Sequence, residues 1–278
     1  MDYKIVADSS CDLNEELKER LNISLVPFKI DVDYRKFIDN NEMDTMELIN
    51  SMKNSPNPVR TSCPSPGDFV MEYKKADNIF AVTISEKLSG TYNSAVLAKK
   101  MINEEYPEKF VHVFDSKSAS IGETLVALKI QELVENKFSN LEIVEKVEKY
   151  INEMKTYFLL ESLDNLIKNG RISKTKGIIA NVLNLKPIMG DDGEGSIRLV
   201  ENVRGTKKAF KRLVEIIGET GEKFEEKILA ISHVNAFEKV EELKKEIQSM
   251  YNFKDVILVK TAGLSTAYAN DGGIILVF

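Results

Sequence analysis

Short apolar runs of strand length alternate with helical stretches along nearly the whole chain, and this alternation limits the fold more than any other feature. Ile5-Val6-Ala7 reads as a strand, Leu13 to Leu21 as a helix, and Ile23 to Asp33 as extended chain. Asp44, with Glu47 three residues on, is a capping box that opens a helix over Met46 to Met52. Asn54 to Pro66, rich in Pro, Ser and Asn, is expected to be a loop. Strand Ile79 to Ile84, helix Thr91 to Asn103 and strand Val111 to Phe114 come next, then helices over Ile121 to Glu135 and Leu141 to Met154. Beyond Tyr157 the pattern restarts. Strands fall near Phe158 to Leu160, Leu185 to Met189, Ile228 to Ser232 and Val256 to Val259, with helices at Lys207 to Gly218 and Phe237 to Met250. The expected architecture is α/β in two lobes, residues 1–156 and 157–278, with a ligand site at or near their interface.

Composition narrows the function. The chain has 278 residues, 43% hydrophobic and 29% charged, as in a soluble globular protein. A net charge of −6 argues against nucleic-acid binding, which needs a basic stripe to displace counterions. No apolar run approaches the length of a membrane span and no signal segment is apparent, so no stable membrane insertion and a cytoplasmic location are expected. Two isolated cysteines, Cys11 and Cys63, support neither a disulfide framework nor a zinc site. Asp191-Asp192, followed by Gly193 and Gly195, reads as a turn between two strands rather than a metal site.

Several catalytic signatures are missing. Gly218 and Gly221 have the wrong spacing for a phosphate-binding loop, and no dinucleotide fingerprint follows the first strand. Gly263-Leu264-Ser265-Thr266-Ala267 lacks the second glycine of a nucleophile elbow. His112 and His233 each sit beside or within an apolar strand run, where a structural role is the simpler account.

What stands out instead is two hydroxyl-rich runs that lead into helices. In Thr61-Ser62-Cys63-Pro64-Ser65-Pro66, Ser65 is an N-cap and Pro66 opens a helix. Ser89 and Gly90 follow an apolar strand and precede the helix from Thr91. Free N–H groups and hydroxyls without a lysine or arginine in the second run suit a carboxylate better than a triphosphate. Ordinary caps and turns would look the same locally.

Taken together and in order, Asp8-Ser9-Ser10, residues 61–66, Ile84 to Tyr92, Asp115 to Gly122, Leu163 to Ser173 and Lys186-Pro187-Ile188 resemble the DegV family. The resemblance implies a two-lobed α/β protein that binds one long-chain fatty acid and needs no other cofactor. It further implies a fatty-acid kinase subunit as partner, which phosphorylates the acyl carboxyl group. Thr61 and Ser89 match the hydroxyls that hold the carboxylate in this family, with Ser62 and the Gly90 amide counted in the same cradle. Arg171 matches an arginine on the outer rim, facing the kinase. Tyr268 stands where many members have a histidine, Glu86 replaces a frequent serine, and Asn169 and Thr124 replace frequent glycines. A phenol remains a neutral donor at pH 7 but supplies no positive charge. Phe158-Leu159-Leu160, Ile178-Ile179 and Val182-Leu183 are candidates for the apolar lining. Two other functions stay open: a serine-dependent lipid hydrolase using Ser89 or Ser265, and a binder of another small carboxylic acid.

Overall fold

In the computed structural model, which describes residues 2–172 and 184–278, the N-terminal strand β1 (Tyr3–Asp8) leads through α1 (Glu15–Arg20) to β2 (Ile23–Val26). A hairpin of β3 (Lys29–Val32) and β4 (Arg35–Ile38) precedes α2 (Thr45–Asn54) and β5 (Arg60–Ser62). The half closes with α3 (Pro66–Tyr73), β6 (Asn78–Thr83), α4 (Thr91–Glu105), β7 (Phe110–Asp115), α5 (Ile121–Glu135) and α6 (Asn140–Glu153). Then come β8 (Thr156–Leu159), α7 (Asp164–Lys168), β9 (Leu185–Asp191), β10 (Ile197–Arg204) and α8 (Thr206–Thr220). The chain ends with β11 (Ile228–His233), α9 (Phe237–Met250), β12 (Asp255–Lys260), α10 (Gly263–Ala269) and β13 (Ile274–Val277).

These strands form three sheets, ordered β2-β1-β6-β7, β10-β9-β8-β13-β11-β12 and β4-β3-β5. The first is wholly parallel. Its order reverses between β1 and β6, and in open α/β sheets the crevice outside the carboxyl ends at such a switch is the usual ligand site. The six-stranded sheet is antiparallel except for β11 beside β12. Helix α5 explains how the two join. Eleven of its fifteen residues are buried, and its apolar side chains share one cluster with Ile5, Phe80, Ala230 and Val277. A helix with weak amphipathicity is the kind that is covered on all sides.

Most elements follow the periodicity of the sequence, and the exceptions have physical causes. The expected loop over Asn54 to Pro66 contains β5, whose three residues pair with β3. Asp44 caps α2 through Met46 N at 2.7 Å, but Glu47 pairs with Arg35 instead of closing a capping box. Complete boxes lie at Ser65, where Asp68 returns the hydrogen bond, and at Ser139, where Glu142 does. β4, α7 and α10 are further elements beyond the expected set, and β10 is the second strand that the turn at Asp191-Asp192 implied. Ile178-Ile179 and Val182-Leu183 lie outside the described residues.

Candidate functional site

A cavity enclosing about 890 Å³ of atom-free space, its mouth included, lies between the carboxyl ends of the parallel sheet and one face of the mixed sheet. That is the size range of small-molecule sites. Its walls are mainly apolar, with Phe28, Ile84, Phe158, Leu160, Leu264 and Ile275 among them. From the expected lining run, Phe158 and Leu160 face the cavity, whereas Leu159 packs into the core on the other side of the sheet. Successive strand residues point to opposite faces, so the run had to split this way.

Polar side chains line the cavity beside the apolar ones, and two of them meet. Thr61 and Tyr268 are half-buried, and their hydroxyls are 2.9 Å apart. Ser89, also half-buried, lines the same cavity and pairs its Oγ with Thr91 Oγ1 at 2.8 Å. Ser62 and Gly90 do not join them. Ser62 follows Thr61 in β5 and therefore faces outward, and Gly90 is an exposed N-cap; neither lines the cavity.

Arg171 departs from the expectation of an exposed rim residue. It is half-buried and lines the cavity, with Nε donating to Leu88 O at 3.0 Å. The end of α7 aims it. Gly170 N donates to Ile167 O and Arg171 N to Leu166 O, a Schellman closure with Gly170 at φ +76°. A side chain at that position would be strained.

Two asparagines set the register of the hydroxyl end. Asn165, buried, donates from Nδ2 to Ala267 O at 2.8 Å and accepts at Oδ1 from Val59 N at 3.4 Å. Asn169 donates to Val59 O at 3.0 Å. Val59 lies just before β5, which carries Thr61, and Ala267 adjoins Tyr268. No motif in the sequence pointed to Asn165, because its two partners lie more than a hundred residues away on either side.

Helix α10 is held from below by acids. Asp39 accepts at Oδ1 from Gly263 N at 2.8 Å and at Oδ2 from Leu264 N at 2.9 Å, with Ser9 Oγ donating at 2.8 Å. Asp12 Oδ1 accepts from Ala262 N at 2.6 Å, and its other oxygen accepts from Ser120 Oγ. Asp8 accepts from Ser10 N and Ile84 N, both at 2.9 Å. Burial pushes Asp8 and Asp12 up to about 7, and it raises Asp39 as well. Glu123 is fully buried, and neither of its carboxyl oxygens has a well-formed hydrogen bond among the described residues, although Asp8 and Ser10 lie beside them; burial and the Asp8 charge hold the carboxyl well above the usual range. Ser120 sits at φ +59°, a conformation uncommon outside glycine, held by its bonds to Asp12 and Ser232.

Both histidines lie elsewhere. His112 Nε2 is 3.4 Å from Glu148 Oε1, and His233 Nδ1 accepts from Ala236 N at 3.2 Å. Among the described residues no group of His, Cys, Asp and Glu is placed to hold a metal ion, and no helix is long and apolar enough to cross a membrane.

Comparison with known proteins agrees with this architecture. A family model described as "Uncharacterised protein, DegV family" matches residues 2–277. The chain belongs to the DegV family. A DegV domain-containing protein of Streptococcus gordonii is 34% identical over 99% of this chain and 98% of its own. A DegV family protein of Ruminococcus gnavus, solved with vaccenic acid, superposes with a TM-score of 0.96 at 42% identity, covering 99% of both chains. The Streptococcus pneumoniae Fatty Acid Kinase (Fak) B3 protein, loaded with linoleic acid, gives a TM-score of 0.91 at 30% identity over 100% of this chain and 99% of that one. Within this DegV chain the cavity thus combines apolar walls with the hydroxyls of Thr61, Ser89 and Tyr268 and with Arg171.

Proposed function

We propose that this DegV protein binds one long-chain fatty acid between two lobes, residues 1–156 and 157–278. In this reading Thr61, Ser89 and Tyr268 hold the carboxylate and the apolar walls hold the chain. The observation that carries it is the meeting of the Thr61 and Tyr268 hydroxyls in a cavity that Ser89 also lines and whose walls include Phe28, Ile84, Phe158, Leu160, Leu264 and Ile275. A 16-carbon acid carries about 14 methylenes, and at roughly 0.8 kcal/mol each their burial contributes on the order of 11 kcal/mol gross. Ordering and association offset a sizeable part of that. The carboxylate would cost several kcal/mol to bury alone, which is why several donors must meet it. That two relatives are solved with vaccenic and linoleic acids supports the same class of ligand here.

The second step of the proposal is presentation of the acyl carboxyl group to a fatty-acid kinase subunit, with no chemistry done by this chain. The name of the S. pneumoniae relative supports it, as does Arg171 beside the hydroxyl end. A hydrolase reading would need a base at a serine. Ser89 Oγ pairs with Thr91 Oγ1; Ser265 Oγ donates to Ser10 O at 3.5 Å with the Asp12 carboxyl beside it, and that carboxyl is already engaged by Ala262 N and Ser120 Oγ.

Organic extraction of the purified protein with mass spectrometry tests the first step. One fatty acid per chain is the expected result, and a stoichiometric ligand of another class would replace the reading. For the second, Arg171→Ala should retain bound lipid but lose acyl phosphate formation when a kinase subunit and ATP are added. Loss of the lipid itself in that variant would assign Arg171 to binding instead.

A further inference from the structure

The cavity has an axis, and β8 supplies it. Thr156, Phe158 and Leu160 line it from alternate positions of this strand and the residue after it, a span of about 13 Å of extended chain. Leu160 marks the hydroxyl end. Leu166 and Arg171 follow it in the chain, and Tyr268 precedes β13, whose first residue pairs with Leu159. Thr156 marks the opposite end, since Tyr157 pairs with Gly190 and Thr156 N donates to Asp191 Oδ2 at 2.6 Å.

That far end is closed by the turn between β9 and β10. Gly190, Asp191, Gly195 and Ser196 line the cavity there, facing Lys117 and Ser118 from the loop after β7. The closure is hydrogen-bonded across the gap. Ser85 Oγ donates to Gly195 O at 2.8 Å, Lys117 Nζ donates to Gly193 O at 3.4 Å, and Ser118 Oγ pairs with Thr156 Oγ1 at 2.8 Å. Ser85 and Gly195 are both buried. Gly195 stands at φ +88°, and a Cβ there would fall 2.3 Å from Ser85 Oγ and 3.2 Å from Lys117 Cα. The turn therefore lies on the opposite loops at the least thickness a residue permits.

We infer that this turn, locked by Ser85 onto Gly195, is the stop that sets the length of the acyl chain the cavity accepts. The inference rests on the fatty-acid reading above. With the carboxylate at Thr61, Ser89 and Tyr268, the methyl end runs along β8 toward Thr156 and meets the turn. A chain too long by one or two carbons must lift it, breaking the Ser85 and Lys117 contacts to the backbone carbonyls. Releasing the lock removes that penalty for long acids and leaves acids that stop short of the turn unaffected.

The test offers delipidated parent, Ser85→Ala and Gly195→Ala proteins an equimolar mixture of saturated straight-chain acids of increasing length. The bound acids are quantified by extraction and mass spectrometry. Both variants should shift the bound population toward longer acids, with the ratio of the acid two carbons past the parent's optimum to the optimum itself rising on the order of tenfold. Gly195→Ala breaks the same contact from the turn side, because its Cβ displaces Ser85 Oγ. Since Ser85 O accepts from Ser89 N at 3.1 Å, uptake of an acid too short to reach the turn is measured in parallel and must stay at the parent's level in both variants. An unchanged length profile in a variant that binds as much acid as the parent overturns the inference. So does a loss that is proportional at every length, which would place Ser85 with the carboxylate. A parent that takes up no acid at all overturns the fatty-acid reading first, and this inference with it.

Discussion

Thr61 and Tyr268 are 207 residues apart in the chain, and each presents a hydroxyl to the other at 2.9 Å. With no carboxylate between them, one hydroxyl must accept from its neighbour; with one present, both can donate to it. Changing Thr61 or Ser89 to Ala should therefore weaken fatty-acid affinity by about 1–3 kcal/mol, the range for a hydrogen bond to a charged group. The fold should hold, because both side chains are only half-buried. Titration of delipidated protein with a fluorescent fatty acid reads this directly, and unchanged affinity in the double variant would dismiss the cradle. Tyr268→Phe keeps the ring and should lose roughly 1–2 kcal/mol. Tyr268→His should recover it at low pH, with affinity falling as pH rises through about 6.5, because only the imidazolium carries charge. The parent should show no such step. Equal affinity of the phenylalanine variant and the parent from pH 5.5 to 8 would reduce Tyr268 to a packing role.

Among the elements, those that bring the site residues together were the hardest to read in sequence. Thr61, Ser89, Arg171 and Tyr268 could be named from motifs, but the strand and helix that carry the first and last could not. β5 is three polar or charged residues with no apolar alternation, and it exists because β3 offers Lys29 to Asp31 as a partner. Over α10 the sequence offers only Gly263-Leu264-Ser265-Thr266-Ala267, which reads as an incomplete nucleophile elbow and not as a helix. It becomes a helix because Asp39, more than two hundred residues earlier, binds its first two N–H groups. The strands and helices with strong periodicity, such as β6 and α6, were legible because burial follows their own sequence. Asn165 links the two illegible elements and yields a prediction at this scale. Asn165→Ala removes the bonds to Val59 and Ala267, leaving a buried carbonyl without its donor. It should cost about 1–3 kcal/mol in urea melts. It should also shrink the effect of Tyr268→Phe on lipid affinity, since a phenol out of register has less to lose. A double-mutant cycle measures that coupling, and strict additivity would leave Asn165 a purely structural residue.

At the scale of the whole molecule, the parallel sheet, α5 and α10 meet over a set of buried acids that no lysine or arginine neutralises among their hydrogen-bond partners. Their effect on stability has a definite sign. A carboxyl whose pKa rises on folding holds its proton more tightly in the native chain. The stabilisation is complete below the unfolded value near 4 and is lost as pH rises through the folded value, about 7 for Asp8 and for Asp12. Surface carboxylates such as Asp68 and Glu142, lowered by serine hydroxyls, act in the opposite sense, but their contribution is already complete at pH 5. His233, lowered by burial, adds a rise with pH below about 6.5 that any variant at Glu123 keeps. Between pH 5 and 8 the parent should thus lose stability as the buried acids are forced to ionise. Glu123→Gln isolates their share: the amide cannot titrate, and it removes a negative charge from beside Asp8. Urea unfolding at pH 5, 6, 7 and 8 should show a shallower decline in Glu123→Gln than in the parent, with the gap widening at high pH. Parallel declines in the two proteins would mean that Glu123 keeps its proton throughout this range and that Asp8 and Asp12 alone set the slope.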